Sequence, residues 1–171
     1  MGTNYYLITR NKEFIEKHFP FEYELTDHPD FGYRVHLNKC SLGWRTLFQN
    51  HDKAYKSVRE LYQFLNDHKD DLEIYNEYDE PFDIEEYRTK VLMRDNKLLE
   101  KKEPFCWKKD KIFGGDSLQL CEEGEKPEIW SPFDHMEYER VENEHYRCRT
   151  IFKAKYSCDP EGYNFLEGEF S

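Results

Sequence analysis

The sequence has no long apolar stretch, and this excludes the simplest class of membrane protein. No run of apolar residues approaches the ~20 that a bilayer-spanning helix needs, and the mean hydropathy is −1.03. The first residues show no basic region followed by an apolar segment, so we expect no secretory signal. The sequence therefore predicts a cytoplasmic protein.

Cysteines are few and lack the close spacing of metal or redox motifs. The chain has five cysteines in 171 residues and contains no C-x-x-C pair. An odd number of widely separated cysteines does not predict a disulfide framework. We expect free thiols, no cofactor and no metal. A structural zinc site is the alternative, and its candidate ligands are His145, Cys148, His135, Cys121 and Cys158.

The sequence also has fewer basic than acidic residues. Lys and Arg number 25 against 36 Asp and Glu, which gives a formal net charge of −11. Such a surface repels phosphate backbones and argues against ordinary nucleic-acid binding. Aromatic residues make up 17% of the chain, and each buries roughly 150–250 Å² when it is packed inside. The composition favours a folded domain with an aromatic core and an acidic surface.

Several segments have the pattern of β-strands. The predicted strands cover residues 4–9, 31–37, 44–49 and 147–157. Within residues 31–37, aromatic and aliphatic side chains alternate with Arg34 and His36, which is typical of a half-buried strand. A short glycine-containing connection follows this strand, and it predicts a hairpin with the strand that begins at Trp44.

Two segments predict helices, over residues 57–67 and 83–93. Ser57 and Glu60 form an S-x-x-E capping box, in which each side chain accepts a hydrogen bond from the backbone N–H of the other residue. The apolar stripe predicted for the first helix consists of Val58, Leu61, Tyr62 and Leu65. Asp83 stands at the start of the second helix, directly after a segment that contains Pro81.

These elements predict an α+β fold, a mostly antiparallel sheet packed against two or three helices. We expect a single domain with a C-terminal extension. Residues 1–96 form its core region, with the hairpin and both helices. Residues 97–171 form the extension, and its C-terminal strands complete the same domain.

Chemically versatile side chains cluster around the predicted hairpin turn. With one residue from the first strand, the candidate ligand-binding set is Tyr5, His36, Lys39, Ser41 and Trp44. Ammonium, hydroxyl and turn N–H groups bind anions such as phosphate, and aromatic rings stack on bases. The cluster therefore predicts a pocket for a small phosphorylated or nucleotide ligand. As alternatives, these residues serve the fold alone, or a tight bend brings Cys40 to His36 as a nucleophile and its base.

Acidic residues are concentrated in two segments. Residues 66–90 contain ten acidic and three basic residues, and residues 122–145 contain nine and two, so each segment has a balance of −7. In the first segment the candidate partner-binding residues are Asp70, Asp71, Glu77, Asp79 and Glu80. A folded domain that fixes such carboxylates can imitate the phosphates of a nucleic acid and occupy a basic groove on another protein. The alternative is a solvated face that maintains solubility.

Three stretches resemble a group of small, mostly phage-encoded uncharacterised proteins. They are the start MGTNYY, the box HLNKCSLGW over residues 36–44, and the final residues GEFS. Proteins of this group open with an MGTNYY-like segment, carry an H-x-x-K-x-S-x-G-W-like box and end in an EFS-like tail. Many of them have a C-x-x-C pair before the box, but residues 10–30 of this chain contain no cysteine. The resemblance implies a phage or prophage context, and hence the cytoplasm of a host cell.

The sequence thus predicts a small acidic phage accessory protein that acts by binding. Its expected partner is a basic surface of a host protein or nucleoprotein complex, with no direct contact to nucleic acid or to a membrane. Inhibition of a host nuclease or defence complex is the function that we expect. The alternative is sequestration or processing of a small ligand in the pocket around His36 and Lys39. We predict no catalytic residue and favour a non-enzymatic role.

Overall fold

The computed structural model describes most of the chain, and it divides the chain into two compact units. The described residues are 2–27, 31–41, 46–94, 105–112, 115–131 and 155–168. The first unit consists of residues 1–99 together with 154–171, and the second consists of residues 100–153. The C-terminal segment therefore belongs to the same unit as the N-terminal region.

The first unit is built on an eight-stranded sheet. Its strands are β1 (Gly2–Thr9), β2 (Glu24–Thr26), β3 (Gly32–Ser41), β4 (Leu47–Gln49), β5 (Glu73–Asn76), β6 (Pro81–Phe82), β10 (Lys155–Cys158) and β11 (Asn164–Glu167). Seven of them lie in the order β10-β11-β4-β3-β1-β5-β6, and β2 pairs with β3. All neighbours are antiparallel except β11 and β4. The mostly antiparallel α+β fold predicted from the sequence is confirmed.

Helices connect the strands of this unit. They are α1 (Lys12–His18), α2 (Val58–Asp67), α3 (Ile84–Tyr87) and a π-helical turn (Arg88–Leu92) that continues α3. The second predicted helix, over residues 83–93, is therefore short and widens into a π turn. Among the described residues, no helix is long and apolar enough to cross a membrane.

The second unit contains a three-stranded antiparallel sheet. Its strands are β7 (Phe105–Ile112), β8 (Gly115–Leu120) and β9 (Ile129–Ser131), and β7 lies between the other two. Trp107 on β7 is buried. Nearby, Lys108 forms an ion pair with Glu125 at 2.7 Å.

Aromatic rings form the core between α1 and α2. Phe64 on α2 lies 5.9 Å from Phe14 and 5.7 Å from Phe19, measured between ring centroids. The buried stripe of α2 is Val58, Leu61, Phe64 and Leu65. Tyr62, which the sequence placed in this stripe, is instead half-exposed and donates its hydroxyl hydrogen to Glu85. The stripe includes Phe64 because Phe14 in α1 and Phe19, which follows α1, pack on that side of α2.

One of the two hydrogen bonds of the capping box predicted for α2 is present in the structure. The Ser57 hydroxyl oxygen accepts a hydrogen bond from the Glu60 N–H at 3.0 Å. The Glu60 carboxylate accepts from the N–H of Lys56 at 2.6 Å, so the bond predicted to reach the N–H of Ser57 goes one residue earlier. In addition, Asp159 from the C-terminal segment accepts from the N–H of Val58 at 2.9 Å. Residues next to the helix in sequence and one residue from the C-terminal segment thus contribute to the same helix start.

Replacing Ser57 with alanine removes one acceptor from this helix start. We expect the change to lower the free energy of unfolding by about 1 kcal/mol, because the N–H of Glu60 loses its partner. Urea denaturation of the full chain measures the loss. Ser57→Asp keeps an acceptor at the same position, so it serves as the control and is expected to retain most of the stability. Equal losses in both variants would contradict a capping role.

Candidate partner-binding site

A bulge in the central strand pair decides which side chains share a face of the sheet. Tyr5 lies opposite Asn38, whereas Tyr6 lies opposite His36, so Leu37 is an extra residue on β3. Directly paired residues in an antiparallel sheet point to the same face. Tyr5 and Asn38 therefore share the face that the helices cover, and Tyr6 and His36 share the other.

This arrangement places the predicted ligand-binding residues on two different faces of the sheet. On β3, Lys39 pairs with Asn4 and Ser41 pairs with Gly2, and a Cβ atom at Gly2 would meet the side chains of both Lys39 and Ser41. His36 contacts the Asn4 side chain, so His36, Lys39 and Ser41 share one face.

Tyr5 does not lie with the other predicted ligand-binding residues. Its ring packs against Phe82 at 5.5 Å and Tyr87 at 5.8 Å on the opposite face. The prediction that Tyr5 joins His36 in one pocket is therefore corrected. Trp44 lies outside the described residues.

The nucleophile–base alternative is also corrected. Residues 36 and 40 of a regular strand would share a face, but the bulge at Leu37 turns Cys40 to the helix side. There the buried Cys40 thiol contacts the Thr46 hydroxyl at 3.3 Å and accepts a hydrogen bond from the Asn38 amide at 3.6 Å. His36 lies on the other face and is therefore not available as its base.

A chain of polar contacts crosses the sheet through His36. The Asn4 amide donates to the Glu77 carboxylate at 3.0 Å, and the Asn4 side-chain oxygen lies 3.2 Å from Nε2 of His36. On the other side of the ring, Nδ1 lies 3.5 Å from Oε1 of Gln49. Gln49 in turn donates to the carbonyl oxygen of Gly168 at 2.7 Å. Asn4 thus holds Glu77 directly, through its side chain and through its N–H at 3.3 Å, and His36 in turn contacts both Asn4 and Gln49.

Burial gives this histidine an unusual proton affinity. Desolvation lowers the pKa of His36 from 6.5 to about 4, and the hydrogen bond to Gln49 opposes the shift only in part. Electrostatic interactions with His51 and Lys39 lower the pKa of His36 further. The ring is therefore neutral at physiological pH.

The predicted partner-binding residues lie at the two ends of β5. Glu77, Asp79 and Glu80 follow the strand, whereas Asp70 and Asp71 precede it. The four-residue strand separates the two groups by roughly 13 Å. We refer to these five residues together with Glu73, which lies on β5 between them, as the acidic band. All six are exposed.

Neutral side chains and backbone groups position several carboxylates of the acidic band. The Asn76 amide donates to Glu80 at 2.6 Å, and the Asn11 amide donates to Asp71 at 3.1 Å. Asn4 holds Glu77, as described above. Asp79 adopts a left-handed turn conformation with φ of 60°, which aspartate tolerates better than most residues. These donors fix the carboxylates without cancelling their charge.

An open groove of about 560 Å³ lies beside the acidic band. We call it the acidic groove. Its apolar lining consists of Leu72 and Ile74 with Phe82 and Ile84, and its acidic lining consists of Glu73, Asp83 and Glu85. The groove draws on the end of α2, on β5 and β6, and on the start of α3. Sequence reasoning missed it, although residues 82–85 alternate apolar and acidic side chains along one short stretch.

The second acidic segment is described only as far as residue 131. There Glu125 accepts two hydrogen bonds from Lys108, at 2.7 and 2.8 Å. The bond with Lys108 lowers the pKa of the Glu125 carboxyl. Part of the negative charge of residues 122–131 is therefore compensated within the second unit. The rest of the predicted segment, residues 132–145, lies outside the described residues.

A metal site receives no support from the described ranges. Within them, no group of three or more His, Cys, Asp and Glu side chains is arranged to hold a metal ion. The candidate zinc ligands His135, His145 and Cys148 lie outside the described residues.

Comparisons with known proteins supply no relative. No family model matches the chain, and neither a curated protein nor a solved structure matches it.

Proposed function

We propose that this protein acts by binding a basic surface of another protein through its acidic band. In the phage context that the sequence resemblance implies, the partner is a host nucleic-acid-binding protein, and occupation of its basic groove inhibits it. A host nuclease or a nucleoprotein defence complex has a surface of this kind. The proposal requires no catalytic residue and no cofactor.

The observation that carries the proposal is the fixed position of carboxylates at both ends of β5. After the strand Glu77 and Glu80, and before it Asp71, accept hydrogen bonds from asparagine amides. Such carboxylates need little reordering when a partner binds, so less free energy is lost than with mobile side chains. Fixed charges facing a basic surface accelerate association and select against acidic partners.

The small-ligand pocket is the weaker candidate. Its anion-binding residues His36 and Lys39 share a face, but the Tyr5 ring that would stack on a base lies on the other. Both ring nitrogens of His36 already contact Asn4 and Gln49. We therefore favour the acidic band as the functional surface.

Three isosteric changes test the proposal. The band variant, Asp70→Asn with Glu73→Gln and Glu80→Gln, removes three charges from the acidic band and preserves side-chain shape. The control variant, Glu13→Gln with Glu16→Gln and Asp52→Asn, removes three exposed charges from elsewhere in the first unit. The tagged chain, the band variant and the control variant are used to capture proteins from host extract at increasing salt, and mass spectrometry identifies what is bound.

We expect the unmodified chain and the control variant to retain the same nucleic-acid-binding protein. Salt should release it steeply, because exposed charges are screened beyond about 8 Å at physiological ionic strength. Added duplex DNA should displace it, and the band variant should not retain it. Retention by the band variant would contradict the proposal, and so would equal loss from the control variant or the absence of any such partner.

A further inference from the structure

We propose that the acidic groove docks an extended basic segment of the partner protein and takes one apolar side chain of that segment between flanking lysine or arginine residues. This inference rests on the proposed function and specifies the chemistry of the partner. It adds an apolar anchor to the charge complementarity of the acidic band.

The lining of the groove defines what fits it. Leu72 and Ile74 form a buried apolar floor, and Phe82 and Ile84 are half-buried beside it. An apolar side chain placed on these four residues leaves water, which is favourable in proportion to the area covered. A free cation or a purely polar ligand gains nothing from such a floor.

The charges at the groove determine the sign of the partner. Asp83 is exposed at the groove, and Lys69 contributes one positive charge. Glu73 also lines the groove, but its side chain lies on the face of β5 opposite Ile74, where the Tyr75 hydroxyl donates to it at 3.4 Å. The negative charge of Glu85 is partly compensated within the protein, because its carboxylate accepts a hydrogen bond from the Tyr62 hydroxyl and lies 3.8 Å from Arg88. The acidic band lies next to these residues along the chain. An apolar segment flanked by lysine or arginine is therefore complementary to the groove, whereas a nucleic acid would be repelled.

The groove is preformed by contacts that do not depend on a partner. Phe82 pairs with Ile74 across β5 and β6, and its ring packs edge-on against Tyr5. Asp83 caps α3 by accepting a hydrogen bond from the Glu86 N–H at 2.8 Å. A rigid receptor surface reduces the ordering cost of binding.

Side-chain docking explains the geometry better than strand addition. Within the described ranges, β6 is the outer strand of the sheet order at this end, and an outer strand is a common site for an added strand. Pro81 occupies one of its two positions and has no N–H to donate, so this edge is poorly suited to strand pairing. The partner segment is therefore held by its side chains.

Three labelled peptides of equal length test the inference with the full chain. One alternates lysine with leucine, the second alternates lysine with serine, and the third alternates glutamate with leucine. Fluorescence anisotropy measures the affinity of each. We expect the lysine–leucine peptide to bind about tenfold more tightly than the lysine–serine peptide. The glutamate–leucine peptide should not bind.

Ile84→Arg places a long cation at the groove, and Leu25→Arg is its matched control because Leu25 is exposed on β2. The lysine–leucine peptide should lose about tenfold in affinity with Ile84→Arg and be unaffected by Leu25→Arg. NMR amide shifts in the unmodified chain test the same contact independently of how well the variant folds. Peptide binding should shift Phe82 and Ile84 but not Leu25.

The outcomes separate the two proposals. Equal binding of both lysine peptides, with no response to Ile84→Arg and no shift at Ile84, would overturn the docking inference. If the band variant still weakened both peptides in that case, the proposed function would stand. Binding of the glutamate–leucine peptide would overturn the inference, and failure of every lysine peptide together with failure of host capture would overturn both.

Discussion

Replacing Phe64 with alanine is expected to lower the free energy of unfolding by about 3–5 kcal/mol. The ring is buried at the centre of the contact between α1 and α2, where it meets Phe14, Phe19 and Tyr55. His18 and His68 also pack against it, at 5.1 and 4.7 Å. Truncation removes the buried area and leaves a cavity that these neighbours fill only in part. Urea denaturation of the full chain measures the loss.

The control is on the same helix. Gln63→Ala changes an exposed neighbour whose side chain bonds Asp67 at 2.7 Å, and we expect a change within about 0.5 kcal/mol. Phe64→Leu retains part of the apolar volume and should lie between the two. A loss for Phe64→Ala no larger than that for Gln63→Ala would show that this aromatic cluster is not the core.

The parts of the fold that sequence reasoning predicted depend on contacts between close residues. Ser57 and Asp83 cap their helices through bonds that span three positions, so a short pattern reveals them. The start of α2 also uses Asp159, which lies 101 positions from Val58. No local pattern connects these two residues, so sequence reasoning could not find this bond.

The arrangement of the β3 side chains shows a second limit of prediction from the sequence. Alternation correctly separates His36 from Val35, but a regular strand would also separate Lys39 and Ser41 from His36. The bulge at Leu37 brings all three to one face, and the register against β1 determines it. That register depends on long-range pairing, so the sequence of β3 alone does not predict it.

Charge counting revealed the acidic segment but not how the structure holds it. The segment contains ten acidic residues, and their number alone fits a solvated surface equally well. The bond from Asn4 to Glu77 joins residues 73 positions apart, and the groove combines strands and helix ends from residues 66–85. The contacts that position these carboxylates, and the groove beside them, are therefore tertiary.

Acidification is expected to destabilise the protein through His36. The folded pKa is about 4 and the ordinary value is 6.5, so the unfolded chain binds more protons between these two values. Stability is therefore fully present above about pH 6.5 and is lost as the pH falls towards 4. One pKa unit corresponds to about 1.4 kcal/mol, so the loss over the whole window is roughly 3 kcal/mol.

The charged and titratable neighbours of His36 determine what else changes in this range. They are Tyr6, whose ring centroid lies 5.4 Å from that of His36, Arg34 over the Tyr6 ring, Lys39, His51 and, through Asn4, Glu77. His18 also has a lowered pKa, because of burial and the nearby His68. More than one histidine therefore contributes to the pH dependence of the free energy of unfolding of the unmodified chain.

Comparison with His36→Gln isolates the contribution of this residue. Glutamine is neutral throughout the range and retains an amide that can donate to Asn4. Between about pH 7.5 and pH 5, the unmodified chain should lose about 2 kcal/mol more than this variant in urea denaturation. The imidazole of the unmodified chain should titrate near the folded value in an NMR titration. Identical pH profiles, or a measured pKa close to 6.5, would show that the ring is not buried between Asn4 and Gln49.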